Sequence, residues 1–131
     1  MNADLIHEAA RATHEGSRPF PEIVGLLIEA GVEFYQVDYL SLTTIFHDGE
    51  GERVVVELPY EDLPAVAVDF DLDGVRADIL DSQTKGQNHQ DFTRRAMLAG
   101  VQGYFAFLRG RRVTYLGRQG DQHIEWFPSA R

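Results

Sequence analysis

Short runs of apolar and β-branched residues, separated by glycine-containing turns, dominate the C-terminal part of the chain. Residues 103–127 contain three such runs, which are separated by Arg109-Gly110 and by residues 117–120. This spacing predicts an antiparallel meander, because glycine accepts the positive φ that tight hairpin turns require. Side chains alternate along a strand, so Val113 and Tyr115 are expected on one face.

Residues 104–108 break this alternation, because five consecutive residues are apolar. Such a run is typical of a central strand covered on both faces, by helices or by another subunit. In the last run of the meander, Ile124 and Trp126 are expected on one face, and His123 and Glu125 on the other.

Helical periodicity precedes each group of predicted strands. Apolar residues recur at helical spacing in two N-terminal segments, which Gly16 and Gly31 are expected to end. Asp71 or Asp73 is a candidate N-cap for a third helix, and Asn88 for a fourth.

The two halves of the chain share the pattern A-G-V-x-x-Y, at residues 30–35 and 99–104. In each half it follows a predicted helix and precedes a predicted hairpin, so chance and a duplicated helix–hairpin unit both stay open. Duplication predicts positive φ at Gly31 and Gly100. After the first copy, residues 32–47 predict one long strand, which an Asp-Gly turn folds back on residues 52–58.

Together these patterns predict one α+β domain over residues 1–131. Two helix–hairpin units are expected to build an antiparallel sheet of about five or six strands, with about four helices packed mainly on one face. The 131 residues, 44% of them hydrophobic, are enough for one core.

Composition limits the chemistry and the location of the protein. There is no cysteine, which excludes disulfides, thiolate metal sites and a cysteine nucleophile. No apolar run approaches the roughly 18–20 residues that span a bilayer, and the N-terminal segment lacks the features of a secretory signal. We therefore expect a cytoplasmic protein with no membrane partner and no cofactor.

The charge is unevenly distributed. The net charge of −9 disfavours nucleic acid as a partner. Residues 48–81 hold eleven acids against two arginines, whereas residues 82–118 hold one acid against seven basic residues. Three interpretations are open: loosely paired solvated faces, a basic pocket for a small anionic ligand, or a basic face that docks on an acidic one in a homodimer.

Candidate chemistry is sparse. His123 and Glu125 lie two residues apart on a predicted strand, and with Asp38 they could form an acid–base or metal site. No third ligand stands at a defined spacing, so polar pairs along an exposed strand are the alternative, and no metal site is predicted. The sequence contains no serine-nucleophile motif and no phosphate-binding glycine loop, so no catalytic residue is assigned.

A ligand site is a further hypothesis. Arg112 and Arg118 could grip a carboxylate or phosphate, and Tyr35 and Tyr104 could supply rings from the two halves. The alternative is that both tyrosines belong to the core. The candidate ligand-binding residues are Tyr35, Asp38, Tyr104, Arg112, Arg118, His123 and Glu125.

Three segments carry a resemblance to a known family: Tyr35-Gln36-Val37-Asp38, Gly103-Tyr104-Phe105, and Val113-Thr114-Tyr115-Leu116-Gly117-Arg118 with His123, Glu125 and Phe127. With the helix–Gly–strand pattern they resemble the YbcV-like family of small, uncharacterised bacterial proteins. Members often carry the label "phage envelope protein". The resemblance covers nearly the whole chain and implies no activity, cofactor or catalytic residue. An envelope location would need a membrane span or lipid anchor, which the sequence does not predict.

Two functions are consistent with these observations. The first is a non-enzymatic binding or interaction protein, dimeric through the sheet or through residues 104–108. The second is a small-ligand-binding or hydrolase-like enzyme with an acid–base site around Asp38, His123 and Glu125. Convergence of these side chains in one concave site would favour the enzyme.

Overall fold

The computed structural model describes residues 1–128, which form four helices and six strands. The helices are α1 (Ala3–Glu15), α2 (Phe20–Glu29), α3 (Leu72–Thr84) and α4 (His89–Leu98). The strands are β1 (Phe34–Asp38), β2 (Thr43–His47), β3 (Arg53–Glu57), β4 (Val101–Phe107), β5 (Arg112–Gly117) and β6 (Gln122–Trp126). They form one antiparallel sheet in the order β3-β2-β1-β4-β5-β6. The predicted α+β fold is confirmed.

The two halves of the chain repeat the same order of elements, two helices followed by three strands. Each counterpart lies 69 residues further on: α1 at residues 3–15 corresponds to α3 at residues 72–84, and β3 at residues 53–57 to β6 at residues 122–126. The repeated unit therefore extends the predicted helix–hairpin by a second helix and a third strand.

Strands β1 and β4 join the two halves at the centre of the sheet. Gln36 pairs with Phe105, which lies 69 residues further along the chain. An approximate two-fold axis therefore passes between these two residues, perpendicular to the sheet. The helix-to-strand junctions are equivalent as predicted, since Gly31 and Gly100 have φ of 91° and 95°.

Local hydrogen bonds begin the helices of the second half where the sequence predicts. Asp71 is the N-cap of α3, and Asn88 is the N-cap of α4. Each side chain accepts a hydrogen bond from the backbone N–H three residues later, at 3.0 and 2.8 Å. These bonds satisfy donors that a helix cannot satisfy internally, and each contributes about 1 kcal/mol.

The helices pack on one face of the sheet, here called the covered face, and the core lies between them. Its strand side chains are buried: Val37, Phe46, Tyr104, Ala106, Val113 and Tyr115. Burying each large one contributes about 1.5–3 kcal/mol. In contrast, the opposite face, here called the open face, has Val55 and Ile124 about half exposed at its two edges.

The predicted single strand over residues 32–47 is wrong. The chain turns after β1, because the Asp38 carboxylate accepts hydrogen bonds from the Leu40 N–H at 2.8 Å and the Ser41 hydroxyl at 2.9 Å. Leu42 completes the turn with a φ of 57°. The sequence has no glycine here to indicate a turn. The turn is instead stabilised by an aspartate that accepts hydrogen bonds from groups two and three residues later.

The turn between β4 and β5 also differs from its prediction. Arg111, and not Gly110, has the positive φ, at 53°. Arg111 is the counterpart of Leu42 in the repeat, so the same turn geometry occurs in both halves, with a non-glycine residue in the left-handed region each time.

Candidate functional site: the open face of the sheet

The two tyrosines at matching places in the repeat lie in or against the core. Tyr104 is only 8% exposed, and its ring centroid lies 6.2 Å from that of Tyr39 and 5.2 Å from that of Tyr115. Burial raises the pKa of Tyr35 to about 12 and raises that of Tyr104 well above its ordinary value. Tyr104 is therefore a core residue, whereas Tyr35 is partly buried and packs against the core.

His123 and Glu125 form a pair at the edge of the covered face. The Nε2 of His123 lies 3.0 Å from Oε1 of Glu125. The imidazole stacks on the ring of Tyr115, with 6.3 Å between centroids. Within residues 1–128, no three histidine, aspartate or glutamate side chains come together in a way that could hold a metal ion.

The structure does not bring Asp38 to this pair. Val37 is buried on the covered face, so the next residue, Asp38, lies on the open face. Its carboxylate is occupied by the turn after β1. The sheet therefore separates the residues of the expected acid–base site.

The two arginines expected to grip one anion stand at opposite ends of β5. Arg112 begins the strand, and its guanidinium carbon lies 4.8 Å from the ring centroid of Trp126. Arg118 follows the strand and donates a hydrogen bond from Nη1 to the Val66 carbonyl at 3.2 Å. The Arg118 side chain thus anchors the loop before α3.

The open face consists of three rows that run across all six strands in the order β3-β2-β1-β4-β5-β6. The aromatic row is Arg53, His47, Phe34, Phe107, Arg112 and Trp126. The middle row is Val55, Ile45, Gln36, Phe105, Thr114 and Ile124. The far row is Glu57, Thr43, Asp38, Gly103, Leu116 and Gln122. Large apolar side chains are concentrated in the first two rows.

Aromatic rings lie in contact along the aromatic row, and Arg112 lies over the last of its rings, Trp126. Phe34 stacks on His47 with 4.6 Å between centroids, and the ring of Phe107 lies 5.9 Å from that of Phe34. Phe105, in the middle row, stacks on Phe107 at 6.0 Å. A groove of about 490 Å³ lies beside these rings, between Arg109 and Arg112. The groove is lined by the rings of Phe34 and Phe107 together with the charged side chains of Glu33, Arg109 and Arg112.

Two hairpins of opposite charge border the aromatic row. The acidic hairpin, residues 48–52, joins β2 to β3 and carries Asp48, Glu50 and Glu52. The basic hairpin, residues 108–111, joins β4 to β5 and carries Arg109 and Arg111. Both lie at the same end of the sheet, because the last residues of β2 and β4 pair with the same residue, Phe34.

Sequence patterns missed part of this surface. The apolar run of residues 104–108 predicts a strand covered on both faces, whereas within residues 1–128 the helices cover only one face of β4. The sequence predicted a strand at Phe34 but not its neighbour, because only the pairing of β1 with β4 places this ring beside Phe107.

A partly buried polar cluster could not be predicted from the sequence, because its members lie far apart in the chain. The Tyr60 hydroxyl is 2.6 Å from Nδ1 of His89, and the ring of His14 lies 6.0 Å from that of His89. Burial, with the nearby His14, lowers the pKa of His89 to about 4. The cluster is thus neutral near pH 7 and connects the two halves through α1 and α4.

The open face is therefore the surface on which a function can be argued. No helix within residues 1–128 has the length and apolar character needed to cross a membrane. No protein-family model matches this chain, and no curated protein matches it significantly. The resemblance to the YbcV-like family stays a prediction.

Proposed function

We propose that this protein is a non-enzymatic interaction protein that acts through the open face of its sheet, and that two copies associate through this face. The observation that supports it best is the set of rings formed by Phe34, Phe105, Phe107 and Trp126 on a face that the helices do not cover. Membership of the YbcV-like family and a cytoplasmic location are parts of the same proposal, supported by sequence patterns alone.

The distribution of apolar side chains supports this role. An antiparallel sheet with one solvated face normally alternates apolar and polar residues. Here β4 carries Phe105 and Phe107 outward while Tyr104 and Ala106 face the core. Both of these outward rings are partly exposed. Apolar side chains that reach solvent together on one face usually mark an interaction site. A protein partner that covers this face would bury the rings.

The enzyme and the anionic-ligand hypotheses have less support. Asp38 lies on the face opposite to His123 and Glu125, so an acid–base site would lack one of its members. Arg112 and Arg118 stand at opposite ends of one strand, so a single small anion would not contact both. Tyr104 is a core residue, and Tyr35 is partly buried against the core.

Sedimentation of the purified protein over about 1 µM to 1 mM tests the proposal. A small interface formed by one face of the sheet is expected to dissociate in that concentration range. We expect a monomer–dimer equilibrium for the wild type. Phe105→Gln should shift it to monomer while the protein stays folded, since the repeat already places a glutamine at the counterpart position, Gln36.

Ile28→Gln is the matched control. Ile28 lies on α2 and is 57% exposed, so this change removes exposed apolar surface on the helical side. It should leave the dissociation constant unchanged. A wild type that stays monomeric at the highest concentration, or a dimer that Phe105→Gln does not weaken, would overturn the proposal.

A further inference from the structure

We propose that two copies stack open face to open face with the two-fold axis of the dimer parallel to the strands. In this arrangement the acidic hairpin of each copy lies against the basic hairpin of the other. The inference rests on the proposed function, because it requires association through the open face, and it adds the orientation and the contacts that select a second copy of this chain as the partner.

Two orientations of a face-to-face dimer keep the strands of the two sheets aligned, as stacked sheets prefer. With the axis parallel to the strands, the aromatic row of one copy lies over the aromatic row of the other with its order reversed. Phe34 then faces Phe107, and in the middle row Val55 faces Ile124. Large apolar side chains thus meet in both rows, while Phe105 faces Gln36 and Ile45 faces Thr114.

With the axis across the strands, the aromatic row of each copy lies over the far row of the other. Phe34 would then face Asp38, and Trp126 would face Gln122. The Asp38 carboxylate, which accepts the hydrogen bonds of the turn after β1, would be buried against a ring. Burying a charge without a charged partner is costly. Side-chain matching therefore favours the axis parallel to the strands.

Charge favours the same orientation independently. Reversing the order of the strands brings the basic hairpin between β4 and β5 of one copy next to the acidic hairpin between β2 and β3 of the other. Glu50 and Glu52 are exposed, as are Arg109 and Arg111. The axis across the strands would instead move the acidic hairpin to the opposite end of the sheet, where the turn of residues 39–42 carries no charge.

This complementarity explains how a chain of net charge −9 could bind a second copy of itself. The general repulsion acts over the whole surface, whereas each dimer would contain two acidic–basic contacts between hairpins. Surface charges attract most strongly at low ionic strength, because salt screens them beyond about 10 Å at 0.1 M. The proposed dimer should therefore weaken as salt is added.

The size of the face sets the expected affinity. Six strands about 4.8 Å apart and five residues long cover on the order of 500 Å² per copy, or about 1,000 Å² in the dimer. This is near the lower limit of specific interfaces, so a dissociation constant in the micromolar range is expected.

A charge-exchange experiment tests the orientation. One variant carries Glu50→Lys with Glu52→Lys, and a second carries Arg109→Glu with Arg111→Glu. Asp48 is kept, since its side chain accepts the turn hydrogen bonds from the N–H groups of residues 50 and 52. Each variant alone should dimerise about tenfold more weakly than the wild type at low salt, because like charges would then meet at both hairpin contacts.

An equal mixture of the two variants should recover dimerisation to within a few-fold of the wild type. In the mixed dimer a lysine-bearing hairpin meets a glutamate-bearing one, and the unchanged hairpins also meet with opposite charges. Glu22→Lys with Glu29→Lys, on exposed positions of α2, changes the net charge by as much as the first hairpin variant and should not weaken the dimer.

The outcomes separate this inference from the proposed function. If both hairpin variants dimerise as tightly as the wild type, or the mixture recovers nothing, while Phe105→Gln still abolishes the dimer, the orientation is wrong and the open face remains the interface. If Phe105→Gln leaves the dimer intact, or no dimer forms in the wild type, both proposals are overturned.

Discussion

At the scale of single residues, the repeat supplies matched pairs that differ only in their surroundings. Gly31 and Gly100 both end a helix with φ above 90°. A Cβ at Gly31 would approach nothing nearer than Met1 at 3.8 Å, whereas a Cβ at Gly100 would overlap the carbonyl oxygen of Asp69. The first glycine is required by conformation alone, and the second by conformation and by close packing.

Gly31→Ala is therefore expected to lower the free energy of unfolding by about 1 kcal/mol, through strain in the left-handed region. Gly100→Ala should cost clearly more, about 3 kcal/mol or above, because the loop before α3 must also move. Urea unfolding of both variants measures the difference. Equal losses would contradict the close approach of Asp69.

At the scale of elements, the two hairpins nearest the centre of the sheet use the same unusual turn. Leu42 after β1 and Arg111 after β4 both adopt positive φ without being glycine. Conformations of this kind cost a non-glycine residue on the order of 1 kcal/mol or more. The strain is tolerated because pairing of the flanking strands determines the turn.

Arg111→Gly should raise the free energy of unfolding by about 0.5–1 kcal/mol, since it removes this strain at an exposed position. Gly110→Ala is the contrasting variant. A Cβ there would lie 3.4 Å from Nε of Arg112, an ordinary contact, so the change should stay within about 0.5 kcal/mol. A large loss of unfolding free energy in Gly110→Ala would favour a turn with the positive φ at Gly110, which the sequence alone predicts.

At the scale of the whole molecule, two buried titratable groups act in opposite directions on stability. Asp78 is 1% exposed, and burial raises its pKa from 3.8 to about 6, although Gln87 and Arg95 contact its Oδ1 at 2.9 and 3.5 Å. The contribution of Asp78 to the free energy of unfolding is fully present below pH 3.8 and is lost as the pH rises through 6. His89, with a pKa lowered from 6.5 to about 4, contributes above pH 6.5 and loses its contribution as the pH falls through 4.

Each shift corresponds to about 3 kcal/mol, so the two largely offset each other between pH 4 and 7. The free energy of unfolding of Asp78→Asn, relative to that of the wild type, should therefore increase by up to about 3 kcal/mol as the pH rises from 4 to 7. His89→Phe, which copies its repeat counterpart Phe20, should gain as the pH falls over the same range. Urea unfolding across this range gives both differences, and a difference that does not change with pH would contradict the corresponding burial.

Much of the fold was predictable because its signals are local. The caps Asp71 and Asn88 and the junction glycines Gly31 and Gly100 depend on hydrogen bonds or φ values within a few residues. The break after Asp38 was missed because its signal is a side chain that bonds the next turn, within a run that otherwise favours a strand. The residues of the expected acid–base site do not converge for a different reason. Placing Asp38 relative to His123 requires knowing which residues share a face of the sheet.

The sequence by itself determined the class of fold and the uneven charge, because apolar periodicity, capping residues and composition are properties of the chain alone. It left the duplication open, which the matching order of elements in the two halves established. Only the tertiary structure decided which strands are neighbours. The pairing of β1 with β4 puts Phe34 beside Phe107, separates Asp38 from His123 and places the acidic and basic hairpins at one end of the sheet. The physical reason is that a strand has two faces and two possible neighbours, and long-range packing, not local preference, selects among them.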